Sequence, residues 1–207
     1  MSFIREFVRN PRQTGSIAAS SAPVVRMMLD GLDLTSARSV VELGAGTGAV
    51  TDGLRRRLPD SAALLAVELN EDFAAALQRR FQGRGIQVAN RSAADLPDLV
   101  REYGLGDTVD AIVSGLPWTL MSPADRRRAL DAVVDVLDPD GEFVTLSCLH
   151  QTVTGSGKRL RELLGKRFGE VRREPVVWAA VPPMIAYRCA APVKRVTVST
   201  VANRAQG

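Results

Sequence analysis

A chain of 207 residues with 45% hydrophobic and 24% charged side chains is long enough for one packed domain and too apolar for wholesale disorder. Its formal charge of +4 favours an anionic partner, nucleic acid or an acidic membrane surface, although solvated arginine faces account for it equally well. Two distant cysteines, Cys148 and Cys189, and one histidine argue against a disulfide framework or a zinc cluster; no metal and a reducing compartment are expected.

In chain order, residues 3–9 read as a short amphipathic helix, with Phe3, Ile4, Phe7 and Val8 on one face and Arg5, Glu6 and Arg9 on the other. Arg5 and Arg9 also interrupt any secretory h-region, and Asn10-Pro11 stops the helix. A small-residue loop, Gly15 to Ser21, leads to a second helix from about Pro23 to Asp30, capped by Ser20 or Ser21. These first 30 residues form an N-terminal unit whose second helix is expected to be lid-like.

From there buried strands alternate with helices. Strands are predicted at Ser39–Leu43, Ala62–Glu68, Gln87–Ala89, Asp110–Ser114 and Glu142–Ser147. Helices are predicted at Ala49–Leu58, Glu71–Gln82, around Leu96–Tyr103, and at Ala124–Leu137, the last opened by Ser122-Pro123 and closed by a turn at Asp138-Pro139-Asp140-Gly141. This alternation implies an α/β fold with a parallel sheet covered on both faces. A basic helix, Lys158–Phe168, and two further strands, Glu170–Val177 and Met184–Ala190, complete a domain over 31–191, and the polar tail 192–207 is expected to fray. No run reaches the roughly 20 apolar residues of a membrane span; the longest, Val176 to Tyr187, is broken by Pro182-Pro183.

The most informative segment is Val41-Glu42-Leu43-Gly44-Ala45-Gly46-Thr47-Gly48, where a strand runs into three alternate glycines ahead of a helix. Such a loop turns sharply and lets a ligand lie against the backbone. Gly44-x-Gly46-x-x-Ala49, with Glu68 twenty positions past Gly48, also satisfies the dinucleotide fingerprint. Against a dinucleotide stand the early third glycine and Glu42, a carboxylate that would repel a pyrophosphate. The same carboxylate suits a cationic aminoacyl group, which S-adenosylmethionine carries without any phosphate.

Residues 42–48 resemble motif I of class I S-adenosylmethionine-dependent methyltransferases, and Glu68 resembles their acid at the end of the second strand, which holds both ribose hydroxyls. The resemblance implies a Rossmann-like sheet of seven strands, mostly parallel with an antiparallel last strand, and S-adenosylhomocysteine as product. It assigns cofactor contacts to Glu42, Gly44, Ala45, Gly46, Thr47, Gly48, Glu68, Leu69, Ser92, Ala93 and Ser114. Ser92 stands where an adenine-reading Asp is common, and Asp95 reads as a solvated charge.

Ser114-Gly115-Leu116-Pro117-Trp118 is similar to the Asn-Leu-Pro-Tyr motif of ribosomal-RNA adenine dimethyltransferases, except that Gly115 replaces the Asn that holds the exocyclic amine. Losing a buried polar recognition contact weighs against adenine. The same run resembles that of bacterial phospholipid N-methyltransferases, as do the segment 3–21 and Trp178-Ala179-Ala180-Val181-Pro182-Pro183-Met184. That family implies methyl transfer to the amine of phosphatidylethanolamine and its methylated derivatives, towards phosphatidylcholine. An RNA methyltransferase is the alternative.

The implied setting is cytoplasmic, peripherally bound to the inner face of the cell membrane, with phospholipid head groups as partners and no stable nucleic-acid partner. The apolar face of residues 3–8 and the arginines opposite it suit an anionic interface. In the expected reaction a neutral amine attacks the sulfonium methyl in line, accelerated mainly by positioning. Trp118 is the candidate aromatic wall for the cationic product. His150 and Tyr187 are candidate bases, and Ser114 with the backbone of Gly115, Leu116 and Pro117 is expected to orient the amine. The runs Arg55-Arg56-Arg57 and Arg126-Arg127-Arg128 are expected on solvated helix faces.

Overall fold

The computed structural model describes residues 21–194. The predicted helix over 3–9, the loop 15–20 and most of the tail lie outside the described residues.

The first described helix, α1 (Ala22–Leu29), follows Ser21 and has Pro23 in its first turn, as its sequence predicts. Its apolar face, Val24, Val25, Met28 and Leu29, is buried in the main core. The carbonyl of Asp30 just beyond it accepts from Arg188 Nη2 at 2.7 Å, and the Asp30 carboxylate pairs with Arg57 at 2.9 Å. A helix tied down at both its face and its end is a wall of the domain. Lifting α1 in the manner of a lid would expose four buried apolar side chains at about 1.5–3 kcal/mol each.

Next come β1 (Ser39–Leu43), α2 (Ala49–Arg55), β2 (Ala63–Val67), α3 (Glu71–Phe81), β3 (Ile86–Ala89), α4 (Leu96–Glu102), β4 (Val109–Ser114), α5 (Pro123–Val136) and β5 (Leu137–Cys148). They are followed by α6 (Gly155–Arg167), β6 (Phe168–Arg173) and β7 (Met184–Pro192). The strands form one seven-stranded sheet in the order β3-β2-β1-β4-β5-β7-β6. The first five run parallel, and β7 is inserted antiparallel between β5 and β6. This is the Rossmann-like arrangement expected from the sequence.

The period-2 alternation of the strands divides the core between the two faces of the sheet. Val41, Leu43, Ile112 and Phe143 face one cluster with α4, α5 and α6, whereas Val40, Ala111, Val113, Val144 and Leu146 face the other with α1 and α2. Strand β1 is buried along its whole length, which is why it reads as apolar apart from Ser39 and Glu42.

One predicted element takes a different form. The turn at Asp138–Gly141 exists as an irregularity inside β5: Val109 pairs with Leu137, then Ala111 pairs with Glu142. Asp138 Oδ1 accepts from the Asp140 amide at 3.0 Å, holding the extra residues in an Asx turn. The chain leaves α5 directly into the sheet and loops out once before resuming the ladder.

Candidate active site

Parallel pairing in register brings the C-terminal ends of four strands side by side. Leu43 pairs with Val67 and Ser114, and Val67 pairs with Ala89. The residues that follow, Gly44, Glu68, Asn90 and Gly115, therefore stand along one edge. The strand order reverses at β1, between β2 and β4, which is where open α/β sheets hold their ligands.

Gly44, Gly46 and Gly48 all have positive φ, at 76°, 53° and 84°, a conformation L side chains rarely adopt. Gly48 is the N-cap of α2, so the helix opens directly on the loop. The Gly44 amide donates to Val67 O at 2.8 Å, fastening the loop to the end of β2. Ala45 points inward and packs with Ala66, Leu77 and Phe81, while Thr47 is exposed.

Two carboxylates are buried here. Glu68 is 7% exposed; its Oε2 accepts from the Gly46 amide and its Oε1 from the Asn70 amide, each at 2.8 Å. Burial pushes its pKa up, against these backbone bonds. A carboxylate has about four acceptor positions, more than its backbone partners occupy, and a free position suits a ribose hydroxyl. Glu42 is 2% exposed and accepts from Thr51 Oγ1 at 2.5 Å. Burial pushes its pKa up to about 8 against the bond from Thr51, and the charge of Glu68 adds to the rise.

Ser92 caps a short 3₁₀ turn over Ala93–Asp95 by accepting from the Ala94 amide at 3.2 Å. Ala93 is half-buried behind it, and Leu69 is 46% exposed beside Glu68. Asp95 pairs with Arg91 at 3.1 Å.

At the end of β4, Gly115 donates its amide to Leu43 O at 2.8 Å. A Cβ built on Gly115 would lie 2.9 Å from Gly44 O, so the strand end and the glycine loop touch backbone to backbone. Ser114 is fully buried, and its Oγ accepts from Trp118 Nε1 at 3.0 Å and from the Leu116 amide at 3.3 Å. Leu116 and Pro117 are half-buried along this rim.

The catalytic candidates differ in burial. Trp118 is 1% exposed, with its ring edge-on to Phe143 at 5.9 Å. An aromatic wall for an amine needs an open face, and this ring has none. Its indole N–H instead holds Ser114 and so shapes the rim from behind. Tyr187 sits mid-sheet on β7 opposite Thr145 and Arg173, 4% exposed, with its pKa pushed up by burial. His150 is exposed beyond β5 and contacts Gln151 Nε2 at 3.1 Å. Trp118 and Tyr187 are thus both in the buried core, whereas His150 is on the surface.

Several site-forming residues carry no sequence signal. Arg80 donates from Nη1 to Thr47 O at 2.5 Å and pairs with Asp52, clipping the glycine loop to α2 and α3. Asn90 Nδ2 donates to Glu68 O at 2.9 Å and Leu69 O at 3.1 Å, bracing the loop after β2. Only Thr51, in the first turn after the glycines, could have been guessed as the partner of a buried acid one strand earlier.

A family model described as a methyltransferase domain matches residues 40–141. The chain is 32% identical over 142 residues to the ornithine lipid N-methyltransferase of Singulisphaera acidiphila, covering 68% of this chain and 73% of that protein. The chain belongs to the class I S-adenosylmethionine-dependent methyltransferases. It is also 32% identical over 121 residues to ribosomal RNA small subunit methyltransferase A of Methylococcus capsulatus, covering 58% of this chain and 41% of that protein.

Solved structures agree on the fold of this methyltransferase. The 1,6-didemethyltoxoflavin N1-methyltransferase of Burkholderia thailandensis, bound to S-adenosylhomocysteine, matches with a TM-score of 0.65 at 18% identity, covering 92% of this chain and 86% of that one. The O-methyltransferase TomG of Streptomyces achromogenes, in complex with S-adenosylmethionine, matches with a TM-score of 0.65 at 19% identity, covering 91% and 89%.

The methyl donor is S-adenosylmethionine, which supplies an electrophilic sulfonium methyl group. The residues present fit it. Glu68 would hold the ribose, the glycine loop would give close backbone approach, and Glu42 would meet the cationic aminoacyl end.

Glu42 makes a testable link to pH. Its folded pKa of about 8 lies above the ordinary 4.5, so its contribution to the cofactor-free fold is fully present below about 4.5 and is lost as pH rises through about 8. The limiting slope is about 1.4 kcal/mol per pH unit. Glu42→Gln should flatten that part of the melting-temperature profile. A cationic aminoacyl group favours the carboxylate, so cofactor binding at pH 7 should also release a proton. Calorimetric heats that do not vary with buffer ionisation enthalpy would separate Glu42 from that group.

Proposed function

We propose that this methyltransferase methylates the primary or partly methylated amine of a membrane lipid, with phosphatidylethanolamine and its methylated derivatives as acceptors on the way to phosphatidylcholine. The observation that carries this reading is Gly115. The position that would hold the exocyclic amine of adenine has no side chain, and the 2.9 Å approach to Gly44 O leaves no room for one. The similarity to a protein named as an ornithine lipid N-methyltransferase supports a lipid amine as the acceptor class.

The surroundings of the acceptor rim also suit a lipid surface. The connection between β6 and β7 lies at the C-terminal edge, because Met184 pairs with Cys148 and Pro183 O accepts from the Leu149 amide at 2.8 Å. It exposes Trp178 (71%) and Val181 (87%), and Val153 (74%) stands in the neighbouring turn after β5. Tryptophan at a polar–apolar boundary is a usual interfacial anchor. The amphipathic stretch 3–9, with Arg5 and Arg9, would add a second contact and draw the enzyme to the inner, anionic face of the cell membrane. Among the described residues no helix is long and apolar enough to cross a membrane.

The test is transfer of labelled methyl from S-adenosylmethionine to vesicles containing phosphatidylethanolamine and an anionic lipid, with ribosomal RNA offered in parallel. Label in the lipid fraction is expected, and label in RNA with none in lipid would overturn the reading. Replacing Trp178 and Val181 together with serine should cut vesicle sedimentation about tenfold, since each exposed apolar anchor is worth about 1.5–3 kcal/mol when fully buried and less at an interface. Unchanged sedimentation would remove this edge from the membrane contact.

A further inference from the structure

Arg126 departs from the solvated face expected of its run. It stands in the first turn of α5, immediately after the rim 115–121, and is 4% exposed. A buried guanidinium normally has a carboxylate, as Arg188 does. That side chain, equally buried, pairs with Glu174 at 2.9 Å and Glu142 at 3.2 Å. Arg126 makes no ion pair among the described residues. Its Nη2 donates to Met121 O at 3.1 Å and Ser156 Oγ at 3.0 Å, its Nη1 reaches Ser156 O at 3.4 Å, and its Nε has no partner. Burying an ion without its counter-ion costs several kcal/mol, so the arrangement is electrostatically incomplete.

Two further positive features converge on the same place. Ser156 belongs to the first turn of α6, a 13-residue helix with no acidic residue in that turn. Thr154 caps it by accepting from the Gly157 amide at 3.1 Å, and helix geometry leaves the amides of Gly155 and Ser156 without intrahelical acceptors. Arg159 then folds back over this end, its Nη1 3.3 Å from the position of a Cβ on Gly155. A cation at the positive end of a helix dipole is unfavourable unless an anion lies between them. Burial first, and the neighbouring Arg159 second, lower the pKa of Arg126 from its ordinary value, as expected for positive groups meeting without a counter-charge.

We propose that Arg126, Arg159 and the N-terminus of α6 form an oxyanion site that receives the negatively charged group of a zwitterionic acceptor. The inference rests on the lipid-amine reading for the identity of the acceptor, but not for the site itself. Ser156 Oγ donates to Thr119 O at 2.6 Å, so the site is bonded to the rim that leads back to Pro117 and Gly115. A head group whose amine lies at that rim would present its oxyanion here. A phosphodiester and a carboxylate share this chemistry, and both charge-assisted bonding to Arg and helix-end amides suit either.

The site is tested by titrating inorganic phosphate into the full chain at low ionic strength, for the native protein and for Arg159→Ala and Arg126→Lys. Arg159 is exposed, so its replacement should leave the fold intact. Arg126→Lys keeps the charge but loses the fork. Phosphate affinity is expected to fall about tenfold in Arg159→Ala, the usual scale for one charge-assisted contact. No binding by the native chain, or binding undiminished in both variants, overturns the site.

A second measurement compares vesicles carrying an amino lipid with a phosphodiester, an amino lipid with a carboxylate, and a long-chain amine with no anion. Arg159→Ala should raise KM about tenfold for an anionic acceptor with little change in kcat, and leave the anion-free amine unaffected. Equal loss on all three refutes the site, while a preference between the first two identifies the anion. If no lipid amine is methylated but phosphate binding still depends on Arg159, the lipid reading fails and the oxyanion site stands.

Discussion

Glu68→Ala is expected to weaken S-adenosylmethionine binding by about a hundredfold or more, because two charge-assisted hydrogen bonds of about 1.5–3 kcal/mol each are lost. The loss has a second source. Glu68 accepts the amides of Gly46 and Asn70, so its carboxylate also joins the glycine loop to the start of α3. Glu68→Gln separates the two contributions. The amide oxygen can still accept one backbone N–H, but the negative charge facing the ribose diol is gone. Calorimetry should therefore rank native above Gln and Gln above Ala, with melting temperature falling in both variants and most for Ala. Unchanged affinity in the Ala variant would remove Glu68 from the cofactor site.

Gly115→Asn is expected to abolish methyl transfer without creating an adenine methyltransferase. The new Cβ would meet Gly44 O at 2.9 Å, closer than carbon and oxygen tolerate, and the obstacle is backbone that cannot rotate away. Overpacking of this kind costs about 1–3 kcal/mol. Here the strain falls on the turn that approaches the cofactor, so affinity should drop by about five- to a hundredfold together with turnover. Gly115→Ala should show most of the same loss, since the clash begins at Cβ. Ribosomal RNA methylated by the Asn variant, or full activity in the Ala variant, would show that the backbone contact between Gly44 and Gly115 is not what selects glycine.

Both predictions use residues that were legible in the sequence, for a common reason. A glycine loop between a buried strand and a helix is a local feature: alternate glycines, a preceding acid, and a second acid at the end of the next strand. The in-register ends of β1, β2 and β4 then align these local features along one edge. Residues whose roles depend on distant partners were not legible. Trp118 follows the acceptor motif and has the chemistry of an amine wall, yet Ser114 and Phe143 draw it into the core. Arg126 lies in a run of three arginines that reads as solvated, but only Arg127 and Arg128 are exposed, since the periodicity of α5 turns Arg126 inward with Ala129 and Leu130. Arg80 and Asn90 brace the loop from α3 and from the end of β3, and no local pattern marks either of them.

By itself, the sequence determined the alternating strands and helices, the methyltransferase glycine loop with Glu42 and Glu68, and the glycine at position 115. Each of these depends on residues close in the chain or on the period of burial, which the order of residues records directly. Tertiary structure decided which side chains face the acceptor rim, that α1 is a wall of the core, that Gly115 is compelled by contact with Gly44, and that Arg126 is buried beside the end of α6 without a carboxylate. Those properties arise where segments far apart in sequence meet, and burial and charge pairing are set by that meeting.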